Sequence, residues 1–284
     1  MLAIAITEIA SYLVWFQIIP EFKNATVGNP TPFMSHISYN PILALAIYIS
    51  YYNIFIQNNL SKFKFFFYSF FALSMTINMF ITGGRAGQVM YFVMLTILIF
   101  QFFGKEKLKS LLTVFVLVPL IFFTAYQSSN IFQSRVDQAV NNTINFEINR
   151  NSSVGERINF AINTWDVIKE NPIIGVGTGD FPSEYKKINQ INSPQMQPTT
   201  NPHNMYTLVT MQLGFIGLMS LLSIFYFQIK LSFISQNKFF KDLGFALPIM
   251  FLVIMLSDSY LLGHYTTLVF VFFSSFLYKN FDKS

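Results

Sequence analysis

Arg85, Arg157 and His203 are the residues of this chain whose type and setting could do chemistry. Arg85 stands in a glycine-rich turn, Thr82-Gly83-Gly84-Arg85-Ala86-Gly87-Gln88, between two apolar segments. The glycines let the backbone approach a ligand or a neighbour closely. An arginine there suits either an anionic lipid headgroup or a bound phosphate. Arg157 follows Ser153-Val154-Gly155-Glu156, which reads as a capping box with Ser153 as N-cap. A cation in the first turn of that helix gains nothing from the helix dipole. It is either a snorkelling or headgroup arginine or a cation that faces a substrate. His203 lies in Asn201-Pro202-His203-Asn204-Met205. Asn201 reads as an N-cap and Pro202 as the first helical residue. His203 then stands at the positive end of a helix, where neutral imidazole, able to accept a proton as a general base, is favoured. A structural histidine bonded to a neighbouring carbonyl is the plainer alternative. His36 and His264 occupy similar places near segment ends, so position alone does not single out His203.

The same stretch carries Gly175-Val176-Gly177-Thr178-Gly179-Asp180. It has the look of a phosphate-cradling loop but lacks GxGxxG spacing and a strand–turn–helix setting. The alternative is a flexible turn between two short amphipathic helices. The first has Ile158, Ala161, Ile162, Trp165 and Ile168 on one face and ends before Pro172. The second has Phe181, Tyr185 and Ile188 laid on a membrane surface. The stretch 127–152 before them is polar, with little periodicity. Asp180 and Glu184 are at helical spacing, as acids on solvated faces often are. No clustered Asp/Glu set reads as a divalent-metal site, and with no cysteine there are neither disulfides nor thiolate metal ligands.

These residues need elements to hold them, and the composition says which. The 284 residues are 53% hydrophobic and only 11% charged. A soluble domain carries about 25% charged residues. The 35 Phe sit in long apolar runs, so the chain reads as a polytopic membrane protein. A span needs about 20 mostly apolar residues. The segments 2–19, 40–57, 64–82, 87–103, 108–126, 205–229, 243–259 and 264–280 qualify or nearly so. The first contains Glu8 but lacks a basic start and an A-x-A-like cleavage site, which makes it a span and not a signal peptide.

With both termini inside, Lys62, Lys64, Lys105, Lys107, Lys109, Lys230, Lys238, Lys241, Lys279 and Lys283 all lie inside. The short outside loops then hold only Lys23 and Arg85. The positive-inside rule therefore puts the polar stretch Gln127 to Asn204 outside. The expected division is 1–126 as five transmembrane helices, 127–204 as an extracytoplasmic, periplasmic loop and 205–284 as three more helices. No nucleotide sugar is available outside, so any group transfer there needs a pre-activated, lipid-linked donor. Trp15, Tyr39, Tyr126, Tyr206 and Tyr260 are expected as interfacial anchors.

The whole set has a specific order: Thr-Gly-Gly-Arg-Ala-Gly after a span, then Gly-Glu-Arg, Trp165 and Pro-Ile-Ile-Gly-Val-Gly-Thr-Gly-Asp-Phe. It closes with Pro-His-Asn-Met-Tyr and Gly214-Phe215-Ile216-Gly217. Over roughly residues 75–220 it resembles the O-antigen ligase and O-antigen polymerase family of bacterial membrane glycosyltransferases. The resemblance implies an all-α, GT-C-like helical bundle in the bacterial inner membrane. It implies transfer of a glycan from an undecaprenyl-diphosphate carrier to a lipid A–core, glycan or protein hydroxyl, without metal or other cofactor. It places the family's diphosphate-binding arginines at Arg85 and Arg157 and its catalytic histidine at His203, with Gly175, Gly177, Gly179 and Asn204 as possible loop support. Family members usually carry further N-terminal spans, so the chain is expected to be a short variant, a truncated product or half of a split pair.

Two other classes compete. A flippase or transporter of lipid-linked sugars should place ionisable residues at mid-depth in its spans, and only Glu8 does so. An inactive truncated remnant is the other. No internal repeat is visible, which weighs against inverted-repeat transport.

Overall fold

The computed structural model describes residues 2–23, 25–57, 60–145 and 150–279. Among these residues the chain forms helices and no strand, with two isolated bridges, Phe22 to Ala25 and Thr26 to Asn29. It packs as two units, Met1–Asp137 and Gln138–Ser284.

Unit 1 contains α1 (Leu2–Trp15), α2 (His36–Phe55), α3 (Lys62–Ile81), α4 (Arg85–Phe103) and α5 (Lys107–Ser128), followed by the start of α6 (Asn130–Ile144). Helix α2 is its centre and packs on both α3 and α4, while α5 lies on α4 and α1 on α3. Burial follows: α2 buries Leu43, Ala44, Leu45, Ala46 and Ile47 in succession, whereas α5 buries only Ser110 and Ala125. An α5 this apolar with an exposed Phe115, Val116 and Phe123 suits hydrocarbon surroundings, not water. Helix α6 occupies part of the stretch read from sequence as lacking periodicity. It buries only Phe132, too little to leave an apolar stripe in the sequence.

Each of the eight expected spans contains a helix. Four helices, α3, α4, α5 and α9 (Met205–Ser232), are long and apolar enough to cross a membrane. The other segments hold shorter or more polar helices: α1 and α11 (His264–Leu277) have 14 residues each and α10 (Lys238–Ile254) has 17. Helix α2 has 20 but carries Asn40, Ser50 and Asn53. Of the expected anchors, Tyr39 and Tyr260 are buried in the protein at 2% and 4% exposure, so they do not face headgroups. Tyr39 donates to Asn78 Oδ1 at 2.9 Å.

Unit 2 is built on α9, which packs on α10 and on α7 (Ser153–Glu170); α8 (Phe181–Asn192) packs on α7. The N-cap of α7 is Ser152, not Ser153. Ser152 has extended backbone angles and its side chain accepts from Gly155 N at 3.1 Å. Glu156 therefore falls one place past the capping-box position and Arg157 lies beyond the first turn. Ser152→Ala is expected to cost about 1 kcal/mol, read as a lower denaturation midpoint in detergent.

The apolar stripe of α7 is split between exposed and buried positions. Ala161, Ile162 and Trp165 are exposed, while Asn159, Asn163 and Thr164 are buried with Phe160, Val167 and Ile168. Part of this polar inner face is met by α8 and Ser193 just beyond it, while Asn159 Nδ2 and Thr164 Oγ1 make no hydrogen bond among the described residues. Asn163 Nδ2 donates to Tyr185 Oη at 3.3 Å, Ser193 Oγ to Asn159 Oδ1 at 2.8 Å, and Asn189 Nδ2 to the Met196 carbonyl at 2.8 Å. Phe181 and Tyr185, expected on a membrane surface, are fully buried and stack on one another at 5.5 Å.

Helix α9 is broken at Gly214, whose φ of 64° and ψ of −167° are not helical. The loop after α7 fills the break. Val176 N and Gly177 N donate to the carbonyls of Met211 and Gln212 at 2.9 and 3.0 Å. In return Phe215 N and Ile216 N donate to the carbonyls of Pro172 and Ile173 at 2.8 and 3.3 Å. Backbone groups freed by the break thus find partners in the loop, as helix interruptions at membrane depth require.

Candidate active site

The residues around His203 come from two helix ends. The turn before α9 is fastened to the end of α10: Met205 N donates to the Met255 carbonyl at 2.9 Å and Asn204 Nδ2 to the Leu256 carbonyl at 3.1 Å. This brings His203 to Asp258, which sits just past α10. His203 Nδ1 is shielded from solvent and lies 3.2 Å from Asp258 Oδ1. The distance is short, but the geometry falls short of a full hydrogen bond. Asn201 organises the pair. Its Nδ2 donates to Asp258 Oδ1 at 3.3 Å, and its Oδ1 accepts from His203 N at 3.0 Å and from Ser259 Oγ at 2.8 Å. Ser259 N adds a 2.7 Å bond to Asp258 Oδ1.

The expected cap is therefore displaced. Asn204, not Asn201, caps α9, its side chain accepting from Tyr206 N and Thr207 N at 3.0 and 3.1 Å. Pro202 and His203 precede the helix. His203 has φ of 52°, a left-handed conformation uncommon for a residue with a side chain. Such strain persists only where its surroundings hold it, and here the bonds of Asn201 and the Asn204 cap do so. The imidazole stacks on Phe160 of α7, ring centres 6.1 Å apart, and keeps 35% side-chain exposure.

Burial pushes the Asp258 carboxyl up, but the His203 contact, the Ser259 N–H and the charges of His203 and Arg157 outweigh it and hold the group below its ordinary 3.8. Asp258 is thus an anion at neutral pH. Arg157 is exposed on α7 and contributes positive charge to this carboxylate. His203 and Arg157 therefore belong to one electrostatic neighbourhood in unit 2. With Asp258 at Nδ1, the imidazole has Nε2 as the nitrogen that can take a proton. Asp258 was not read as a site residue from sequence, its only signal being a lone acid at the end of an apolar segment, and Asn201 was read only as a helix cap.

The glycine run does not read as a phosphate cradle. Gly177 N is spent on the α9 break, and Gly175 lies so close to it that a Cβ would sit 2.4 Å from the Gln212 carbonyl carbon. Gly179 has φ of 90° and open space beside it. Asp180 stands at the N-cap position of α8 without a side-chain cap bond, and Glu184 pairs with Lys187 at 2.6 Å. Among the described residues no three His, Cys, Asp or Glu side chains gather as metal ligands would.

Arg85 lies in unit 1, where it opens α4. The turn before it is pinned by Asn40 of α2. Asn40 Oδ1 accepts from Thr82 Oγ1 at 2.9 Å and its Nδ2 donates to the Gly84 carbonyl at 3.3 Å. His36 is held below its ordinary value by burial and then by the charges of Arg135 and Arg85. His264 is exposed at the start of α11.

A family profile described as O-antigen ligase matches residues 70–222, more than half of the chain. No curated protein matches it. The matched span runs from α3 past the break in α9, taking in Arg85, Arg157, the glycine loop and His203 on the way. The chain belongs to the O-antigen ligase family.

Proposed function

We propose that the chain transfers a glycan from an undecaprenyl-diphosphate carrier to an acceptor hydroxyl, with His203 as general base. Family membership carries the coarser statement: a ligase- or polymerase-type, glycosyltransferase-like enzyme in a multi-pass membrane chain. The observation that carries the finer reading is the His203–Asp258 pair beside Arg157.

In this reading Nε2 of His203 takes the proton as the acceptor oxygen attacks the anomeric carbon. The bond from that carbon to the phosphate oxygen breaks, and undecaprenyl diphosphate leaves with the electron pair. Attack opposite the leaving group inverts the anomeric configuration. Asp258 orients the imidazole and stabilises the imidazolium. Arg157 and Arg85 balance charge on the diphosphate, a task suited to planar, permanently charged forks. In this reading the eight helices of the expected spans, four of them long and apolar enough to span it, cross or enter the bacterial inner membrane as a GT-C-like fold, with the 127–204 loop on the periplasmic face. No metal takes part, because arginines supply the positive charge. The acceptor is a lipid A–core, glycan or protein hydroxyl.

The test is complementation of a bacterium lacking its own surface-glycan ligase or polymerase, read as the polysaccharide ladder on a gel. Wild type should restore the ladder. Arg157→Lys should restore little of it, because a point charge loses the fork geometry. A full ladder from Arg157→Lys would mean that charge alone suffices. In membrane vesicles, a chelator should leave the transfer rate unchanged. A loss of rate that a divalent ion restores would overturn the metal-free mechanism.

A further inference from the structure

The segment between α7 and α8 turns an apolar surface outward where it meets α9. Its residues 171–179, Asn-Pro-Ile-Ile-Gly-Val-Gly-Thr-Gly, carry no charge. Ile173 and Ile174 are 66% and 72% exposed. The backbone of the same segment lies against α9. A Cβ on Gly175 would meet the Gln212 backbone and one on Gly214 the Ile173 carbonyl, so the two chains touch with no side chain between them. Besides the four bonds across the α9 break, Gly175 N donates to the Asn171 carbonyl at 3.1 Å. Pro172 brings no N–H that needs a partner. The carbonyls of Pro172 and Ile173 thus turn inward while the isoleucine side chains turn outward. Phe215 and Ile216, whose amides bind the segment, are exposed too, and so is Met219 one turn further along α9. Near the end of α7, Trp165 is half exposed and Lys169 follows it by one turn.

The depth of this contact follows from α9. No charged residue stands between Met205 and Ile229, and Lys230 ends the apolar run. About 20 residues cross the hydrocarbon, so counting back from Lys230 puts the other boundary near Thr210. Phe215 and Ile216 lie roughly 8 Å inside that boundary, at about 1.5 Å per residue. We infer that residues 172–176 re-enter the bilayer, with Ile173 and Ile174 among the acyl chains of the leaflet on the His203 side. Part of the stretch expected wholly outside then touches the membrane core. The occupant of this surface is lipid hydrocarbon and not a second protein, because the surface continues directly into the exposed face of a helix long and apolar enough to cross the membrane. Non-helical backbone is tolerated at such depth where its polar groups turn into protein, as the bonds to α9 make these do. Trp165 and Lys169 are residue types that sit at headgroup level, as residues leading into the dip should be. Helix α7, which carries Phe160 under His203, is thereby tied to the bilayer.

The chain has no cysteine, so a nitroxide can be placed at one introduced cysteine at a time. Full-length Ile173→Cys, Ile174→Cys, Met219→Cys and Lys186→Cys are labelled and reconstituted in phosphatidylcholine–phosphatidylglycerol vesicles. Met219 is the lipid reference on α9, and Lys186, exposed on α8, is the water reference. Power saturation then compares collisions with oxygen, which concentrates in hydrocarbon, and with a water-soluble nickel chelate. The oxygen-to-nickel ratio at positions 173 and 174 should approach that of Met219→Cys and exceed that of Lys186→Cys by about tenfold, since the chelate is excluded where water is. A ratio at the Lys186→Cys level would put the segment in water and overturn the inference. Few collisions with either reagent would mean that another protein surface covers the patch, which overturns it as well. Melting of each variant in detergent checks its fold, and the two isoleucine positions back each other up. Should both misfold, Trp15→Phe leaves Trp165 as the sole tryptophan. Lipids brominated in the upper acyl chain should quench its fluorescence, and no quenching would overturn the inference. None of these readouts involves glycan transfer, so their failure would leave the proposed reaction standing.

Discussion

His203→Ala and Asp258→Asn should each cut glycan transfer by about 10²–10⁴-fold while the protein still reaches the membrane. The first removes the only nitrogen placed to take the acceptor proton in this mechanism. The second keeps the side-chain shape and removes the charge. Oδ1 of residue 258 would still accept from Ser259 N, 2.7 Å away in the native chain. The imidazolium formed as the acceptor attacks would then face a neutral amide, and the step loses its compensating anion. Initial rates in membrane vesicles, normalised to protein by immunoblot, separate this from poor expression. Wild-type rate in His203→Ala would remove the general-base assignment, and wild-type rate in Asp258→Asn would make the pair structural only. The Asp258 carboxylate also has a defined pH signature. Its value in the folded protein is lowered from 3.8, so its contribution to stability is complete above that pH and is lost as pH falls through the lower, folded value. Activity loss near neutral pH therefore cannot come from protonating Asp258.

The helices were largely legible in the sequence because apolar run length reports directly on what must be buried or placed in lipid. Every expected segment contains a helix. The faces of α7 were not legible. An apolar stripe marks one face of the helix without saying which face packs, and Asn163 and Asn159 Oδ1 go in because α8 and Ser193 supply partners for them. The helix starts at Ser152 and Asn204 were each misjudged because several polar residues in a row can cap, and only backbone angles choose among them. His203 and Arg157 could be found by residue type and by resemblance. Asp258 could not, since it meets His203 and Asn201 through contacts between elements far apart in the chain.

Gly214→Ala should disconnect the loop after α7 from α9 and abolish transfer, even though alanine is the better helix former. The position has φ of 64° and ψ of −167°, a region open to glycine alone, where any other residue carries about 1–3 kcal/mol of strain. A Cβ there would also lie 2.0 Å from the Ile173 carbonyl oxygen, backbone that has no rotamer with which to move aside. Alanine instead favours closing α9 into an unbroken helix. Closure takes Met211, Gln212, Phe215 and Ile216 away from the loop, and with them four backbone hydrogen bonds worth about 1 kcal/mol each. The cost falls on function because α7, which carries Arg157 and the Phe160 ring under His203, leads straight into that loop. Limited proteolysis should cut Gly214→Ala within residues 172–180 under conditions where wild type and Ser220→Ala, a control on the exposed face of α9, stay intact. Protection and transfer both at wild-type level in Gly214→Ala would show that the break in α9 does not hold the loop. Protection lost with transfer retained would show instead that the joint is dispensable to the chemistry. Loss of both together makes the broken helix the element that sets Arg157 and Phe160 against the His203–Asp258 pair.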